Sequence, residues 1–255
     1  MTLGQKQRGP RAQAKARRIL ETAMRHFAES GYHGARVEDI AAELRIAKGS
    51  VFQHFGSKEG LFFAAYQQAI RSLSAYLDAP PGIVEQGFFA TLRYWLERTE
   101  RLVRENWVPY RMGLIGNYTS DLGLRREINR FLTTEDPFGM MPFVRMGIAR
   151  GEVRGDIDAE MIASVLEWTV ERFQDALLTE ELDPGLFRRP RRRPDQTRTR
   201  IEQFLLILKG ALAPPPAPPA QRRQRKSGRG APGRSGGAVL ASADRPSRRE
   251  APGRR

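Results

Sequence analysis

The sequence predicts an all-α fold, and three observations predict it. Apolar residues recur at helical spacing through most of residues 12–213. No segment keeps the two-residue alternation of a half-buried strand. Glycine, proline and small polar residues fall between the periodic stretches, where helices have to stop.

The first helix is expected from about Ala12 to Ser30, with Leu20, Met24 and Phe27 on one face and Arg17, Arg18, Glu21 and Arg25 mostly off it. Gly31 supplies its stop. The second is the two-turn stretch Val37–Leu44, in which Val37, Ile40, Ala41 and Leu44 follow the i, i+3, i+4, i+7 pattern and Glu38 and Asp39 suit a helix start. After Arg45-Ile46-Ala47 a third short helix carries Val51, Phe52 and Phe55. Gly56-Ser57 then restarts the chain into a long helix through Leu61, Ala65, Ala69, Leu73 and Leu77. Two short helices on a tight turn, with the first helix behind them, have helix-turn-helix proportions.

Beyond Pro80-Pro81-Gly82 helices are expected at Ile83–Arg104, Trp107–Asn117, Asp121–Arg150 with a break near Asp136-Pro137, Ala159–Leu182 and Asp195–Leu212. In the last of these Ile201, Leu205, Leu208 and Leu212 form one apolar stripe, and Phe204, Ile207 and Ala211 a second beside it. A stripe that wide needs two partners. One is the chain's own domain. The other is either more of the same core or a second subunit, paired through a face of the preceding helix that includes Ile162, Val165, Leu166, Val170 and Phe173. From Pro214 onward proline, glycine and arginine dominate and there is little to bury, so a disordered basic tail is expected. The organisation read from these shifts is a disordered basic N-terminus (1–11), a helix-turn-helix unit (12–58), a helical body (59–213) and the tail (214–255).

The charge is placed unevenly. The chain carries 43 basic and 29 acidic residues, a net of +14. Residues 1–18 hold six basic side chains and no acid, and residues 214–255 contribute +9, which leaves residues 19–213 at −1. With no cysteine there is no disulfide framework. The longest apolar run, Phe204 to Leu208, is too short to span a bilayer, and residues 1–18 lack the apolar stretch of a signal peptide, so a cytoplasmic protein without a membrane partner is expected.

The third helix opens Lys48-Gly49-Ser50, a poor start. A cation in the first turn faces the positive end of the helix macrodipole, and glycine inside a helix costs up to about 1 kcal/mol against alanine. Lys58 repeats the oddity behind Ser57 at the next helix start. Both make sense beside an anion. In helix-turn-helix docking the N-terminal residues of the second helix reach base edges while neighbouring elements hold phosphates. Gly49 then permits close approach, Lys48 and Ser50 donate to base edges or phosphate, and Gln53 reads a base edge one turn on. Phe52 packs on a thymine methyl or a sugar, or simply in the core, and His54 and Lys58 bind phosphate. The partner expected is double-stranded DNA.

The stretch from Ile19 to Leu61 resembles the DNA-binding domain of TetR-family transcriptional regulators. The resemblance is carried by Phe27…Gly31-Tyr32, by Asp39-Ile40-Ala41, and by Lys48-Gly49-Ser50-Val51-Phe52…Phe55…Ser57-Lys58-Glu59. A weaker likeness lies in Gly151–Asp158. It implies an all-α homodimer whose last two helices pair across a four-helix interface and whose variable body binds a small effector. Three positions depart from the family pattern. Arg36 stands where a serine or threonine usually caps the second helix, which leaves it free for a phosphate. Arg45 replaces a common glycine in the turn, and Ala47 a common serine.

An interface along the last two helices would use Leu166, Val170, Phe173, Phe204, Leu205 and Leu208. An apolar or amphipathic effector would sit among Trp95, Trp107, Tyr110, Tyr118, Phe131, Met141, Phe143 and Trp168, residue types that are mostly ordinary core but that include adaptable methionine near the Asp136-Pro137 break. All three histidines lie within the first 54 residues, so a catalytic or metal site built on histidine or cysteine is excluded from residues 60–255. Glu127, Glu167 and Glu171 remain, and the pair four residues apart reads as a solvated face. No enzyme, metal or cofactor is expected. The rival reading is a nonspecific nucleic-acid or nucleoid-associated protein using the tail and the run Arg188–Arg193, which a steep salt dependence without sequence preference would reveal.

Overall fold

The computed structural model describes residues 9–183, 185 and 194–215, and among these all regular structure is helical. The N-terminal arm before Gly9, the arginine run 188–193 and the tail after Pro215 lie outside the described residues.

Helix α1 (Pro10–Gly34) starts on a proline, whose missing N–H belongs to the unsatisfied first turn in any case. Its regular part stops where the sequence predicts, because Gly31 takes φ 71° and only a short turn continues to Gly34. Helix α2 (Val37–Glu43) has no side-chain cap at Arg36, and Glu38 and Asp39 face its positive end instead. The turn to α3 (Lys48–Phe55) passes through Arg45 at φ 54°, a left-handed conformation that the commoner glycine would adopt without strain. Ala47 leaves α3 uncapped as well. Helix α4 (Lys58–Leu77) is capped by Ser57, whose Oγ accepts from Gly60 N at 3.0 Å. Gly60 has to be glycine, since a Cβ there would lie 2.2 Å from the Phe55 carbonyl oxygen.

The single helix expected over Ile83–Arg104 is two, α5 (Pro81–Glu85) and α6 (Phe88–Glu105). Gly87 at φ 112° separates them, and the freed Phe88 N–H donates to Glu152 Oε2 at 2.7 Å. Helix α7 (Trp107–Asn117) has the predicted bounds. The break at Asp136 divides α8 (Leu122–Glu135) from α9 (Met140–Ala149), and the Asp136 carboxylate causes it by accepting from Met140 N at 2.8 Å and Met141 N at 3.0 Å. Helix α10 (Ala159–Leu178) is capped by Asp158 and ends four residues short of expectation, at an extended Thr179 followed by a 3-10 turn, Glu180–Leu182. Helix α11 (Pro194–Leu212) completes the described chain.

Two apolar clusters hold the helices together. The first joins Ile19 and Phe27 of α1, Ile40 of α2 and Val51 of α3 to Phe62, Tyr66 and Leu73 of α4, Met112 of α7 and Ile128 and Phe131 of α8. Its core therefore runs without interruption across residues 58 and 59. The second joins Phe88, Leu92 and Leu96 of α6, Phe143 and Val144 of α9, Leu166, Val170 and Phe173 of α10 and Leu205 and Leu208 of α11. Burying a large apolar side chain is worth roughly 1.5–3 kcal/mol, so α3, with only Val51 fully inside, depends on its neighbours for position.

Candidate nucleic-acid interface

The short helix α3 is held from beneath. Val51 is fully buried, and Phe52 and Phe55 are half-buried against the first cluster, so Phe55 is less enclosed than a full core residue. The opposite side carries Lys48, Gly49 and Gln53, all exposed, with half-buried Ser50 and His54 beside them and the exposed Arg36 at the start of α2. No atom lies within 4 Å of where a Gly49 Cβ would be, so nothing inside the chain demands glycine there.

The cations have internal partners that the sequence reading missed. Lys48 Nζ donates to Glu38 Oε1 at 2.6 Å and lies 5.4 Å from the Phe52 ring centroid. That hydrogen bond is the main reason the Glu38 carboxyl is held below its ordinary value. Lys58 Nζ donates to the His33 carbonyl at 3.2 Å, 5.1 Å from the Tyr32 ring centroid. It thus lies at the C-terminal end of α1, where a cation is favoured by the exposed carbonyls.

Lys15 is the residue that pattern reading left in the bulk charge. Its Nζ donates to Ser50 Oγ at 3.2 Å, which brings the basic start of α1 beside α3. Helix α2 is clamped to α1 by Glu43, which accepts from Arg25 and, at 2.9 Å, from His26 Nε2. The His26 contact is the first cause of the lowered Glu43 carboxyl, with Arg25 adding to it. Arg36, Lys48, Gly49 and Gln53 are all exposed on the α2–α3 unit.

The aromatic set from the helical body is not gathered at one place. Trp95 and Phe143 meet in the second cluster with ring centroids 4.6 Å apart, and Met141 packs nearby. Phe131 belongs to the first cluster, against Phe63 and Tyr66. Tyr110 is buried, whereas Trp107, Tyr118 and Trp168 are exposed. Glu171 is not on a solvated face, because it is half-buried and accepts from Asn117 Nδ2.

Most of the side chains expected at a subunit interface are buried within the protomer. Leu166, Val170, Phe173, Leu205 and Leu208 are buried in the protomer's own second cluster, and Phe204 stacks on Phe173 at 4.1 Å. What α10 and α11 leave open is Met161, Val165, Trp168, Leu206 and Ile207. The chain's own core took the side chains expected between subunits, and of the open set periodicity had marked only Val165 and Ile207.

A helix-turn-helix whose second helix presents lysine, glycine and glutamine outward, on an all-α body, defines a DNA-binding regulator. Residues 19–65 match the family model for bacterial regulatory proteins of the tetR family. The HTH-type transcriptional repressor AcnR of Corynebacterium efficiens is 31% identical over 173 residues, covering 66% of this chain and 84% of the relative. The HTH-type transcriptional repressor DhaR of a Mycobacterium species is 27% identical over 209 residues, covering 77% and 91%. Among solved structures, the transcriptional regulator FadR of Bacillus subtilis in complex with stearoyl-CoA shares the fold at a TM-score of 0.56 and 18% identity, covering 75% of this chain and 96% of that one. The chain belongs to the TetR family of transcriptional regulators. No described helix is long and apolar enough to cross a membrane.

Proposed function

We propose that this chain is a cytoplasmic transcriptional repressor that binds an inverted-repeat operator as a homodimer and leaves it when a small apolar or amphipathic molecule binds among the helices after Pro81. The observation that carries the reading is the α3 surface. Gly49 is open to the outside, Gln53 projects one turn further on, and Lys48 is held at the surface by the exposed Glu38 alone among described acids. Arg36, Ser50, Phe52 and His54 flank this edge as sugar and phosphate contacts, and Lys15 adds a further phosphate contact beside Ser50. Lys58, which also bonds the end of α1, is a phosphate contact through its remaining donors.

A second copy of the chain is supported by Met161, Val165, Trp168, Leu206 and Ile207, an exposed apolar set spread over two helices. The relatives named above are repressors, which favours that sign of regulation. The protein then acts by binding, with no catalytic step.

Selection from random duplexes with the purified protein tests the reading, followed by screening of compounds for displacement of the selected site. Enrichment of an inverted repeat, and its release by a compound, is expected. Binding that lacks sequence preference and collapses steeply with salt would replace this reading with that of a nonspecific nucleic-acid binder.

A further inference from the structure

Helix α1 carries a basic edge that the α3 surface does not account for. Arg11, Lys15 and Arg18 follow one another at i, i+4 and i+7, within about 60° of arc and over about 10 Å of helix. Arg25 extends the same edge, and its bond to Glu43 holds it against α2. Lys15 holds it against α3, through Ser50 in the first turn of that helix. The edge therefore runs alongside the helix-turn-helix pair, with Arg18 between the two anchors and Arg11 one turn before Lys15.

The outer side chains of this edge are donors without acceptors. Arg11 and Arg18 are exposed, and among the described residues no acid pairs with either. Glu21, three residues from Arg18, bonds Arg17 at 2.9 Å instead. Arg11 also lies in the first turn of α1, a turn with no acid, where a cation opposes the helix macrodipole. Lys15 gives one of its three N–H donors to Ser50 Oγ and keeps two, while Ser50, as acceptor, keeps its own O–H to donate. A row of donors joined to α3 by a hydrogen bond matches a row of acceptors beside the bases that α3 meets. The phosphate oxygens of a duplex strand are such a row.

We propose that Arg11 and Arg18 join Lys15 in binding backbone phosphates of the operator strand that passes α3, so that α1 is a second clamp on the duplex. This deepens the DNA reading above and rests on it. Each strand of a duplex carries one charge about every 3.4 Å of its axis, so an edge about 10 Å long meets more than one of them. Contacts to phosphate add affinity and fix register without reading sequence. The α1 edge therefore sets how tightly the protein holds any duplex, and Lys48, Gly49 and Gln53 on α3 set which sequence it prefers.

The test uses the full chain, the duplex that the parent selects, and fluorescence anisotropy over a series of salt concentrations. Each phosphate contact contributes about 0.9 to the slope of log affinity against log salt, which at about 0.1 M salt amounts to nearly tenfold in affinity. Arg11→Gln with Arg18→Gln, at unchanged circular dichroism, should lower the slope by about two and weaken binding on the order of fiftyfold at that salt. Its selected sequence should remain the parent's. Arg11→Lys with Arg18→Lys, which keeps both charges, should keep most of the slope. Arg101→Gln with Arg145→Gln removes two charges from exposed positions on α6 and α9 and should leave the slope at the parent's value. A slope for Arg11→Gln with Arg18→Gln that equals this control, or a changed preferred sequence, would overturn the clamp while operator binding by α3 stands. A parent that binds duplex without preference removes the α3 reading, and the same slopes on an arbitrary duplex still decide the clamp. Loss of binding to phosphatidylglycerol vesicles in that variant, with its slope on DNA unchanged, would assign the edge to a membrane surface instead.

Discussion

Replacing Leu206 and Ile207 together by glutamate should convert the protein from dimer to folded monomer. The two side chains are 73% and 68% exposed on α11, while Leu205 and Leu208 on its other side are each 6% exposed. Fully burying an aliphatic side chain is worth about 1.5–3 kcal/mol, so side chains that are two-thirds exposed have about 1–2 kcal/mol left to gain. Two from each subunit make about 4–8 kcal/mol of association energy. At about 1.4 kcal/mol per tenfold, losing it weakens the dimer by roughly a thousandfold or more, before any penalty for the introduced charges. Sedimentation velocity at micromolar concentration should show dimer for the parent chain and monomer for the variant, with the helical circular dichroism retained. The control is Leu205→Glu with Leu208→Glu, which puts charge into the second cluster and should abolish folding. An outward variant that stays dimeric, or an inward variant that dissociates while still folded, would refute the assignment of faces.

The remaining predictions concern the DNA-binding head, the packing of α7 on α4, and Glu171. Glu38→Ala frees Lys48 from its acid, so operator affinity should rise and depend more steeply on salt in fluorescence anisotropy; weaker binding would mean that Glu38 positions Lys48 rather than competing for it. Gly116→Ala places a Cβ 2.3 Å from the Tyr66 ring and should cost about 1–3 kcal/mol in chemical denaturation. An unchanged midpoint would show that α7 and α4 are not packed as described. The Glu171 carboxyl is raised above its ordinary 4.5, mainly by burial, so the folded chain holds this proton more tightly than the unfolded chain does. Its contribution to stability is largest below the ordinary value and is lost as pH rises through the raised one. Glu171→Gln removes that loss, and its stability relative to the parent should increase as pH rises above about 4.5. Parallel pH profiles would contradict this.

What the sequence made legible was local. Gly31, Ser57 and Asp136 act on their own neighbours in the chain, so helix limits followed from them. Gly87 was passed over because the break there depends on Glu152, 64 residues away, accepting the freed amide. The two lysines at helix starts have internal partners, Glu38 and the His33 carbonyl, which register alone could not reveal. Two stripes were visible on α11, but periodicity gives faces and not their partners, so Leu205 and Leu208 were assigned to a second subunit when their own core covers them. Glu167 and Glu171 read as solvated because i, i+4 acids usually are; Asn117 on α7, which makes Glu171 part of the interior, is far from it in sequence. Lys15 looked like bulk charge until folding set it beside Ser50.

The central claim is that α3 reads DNA sequence, and selection run side by side on the parent chain and on Gln53→Ala tests it most directly. The parent should enrich an inverted repeat whose half-site centres lie about 34–36 Å apart or a multiple of that. The variant should keep that spacing, relax preference at one symmetric position, and lose about 1–3 kcal/mol against the preferred base there. A parent chain that enriches nothing, or a variant whose selected sequences match the parent's at every position, would contradict the account.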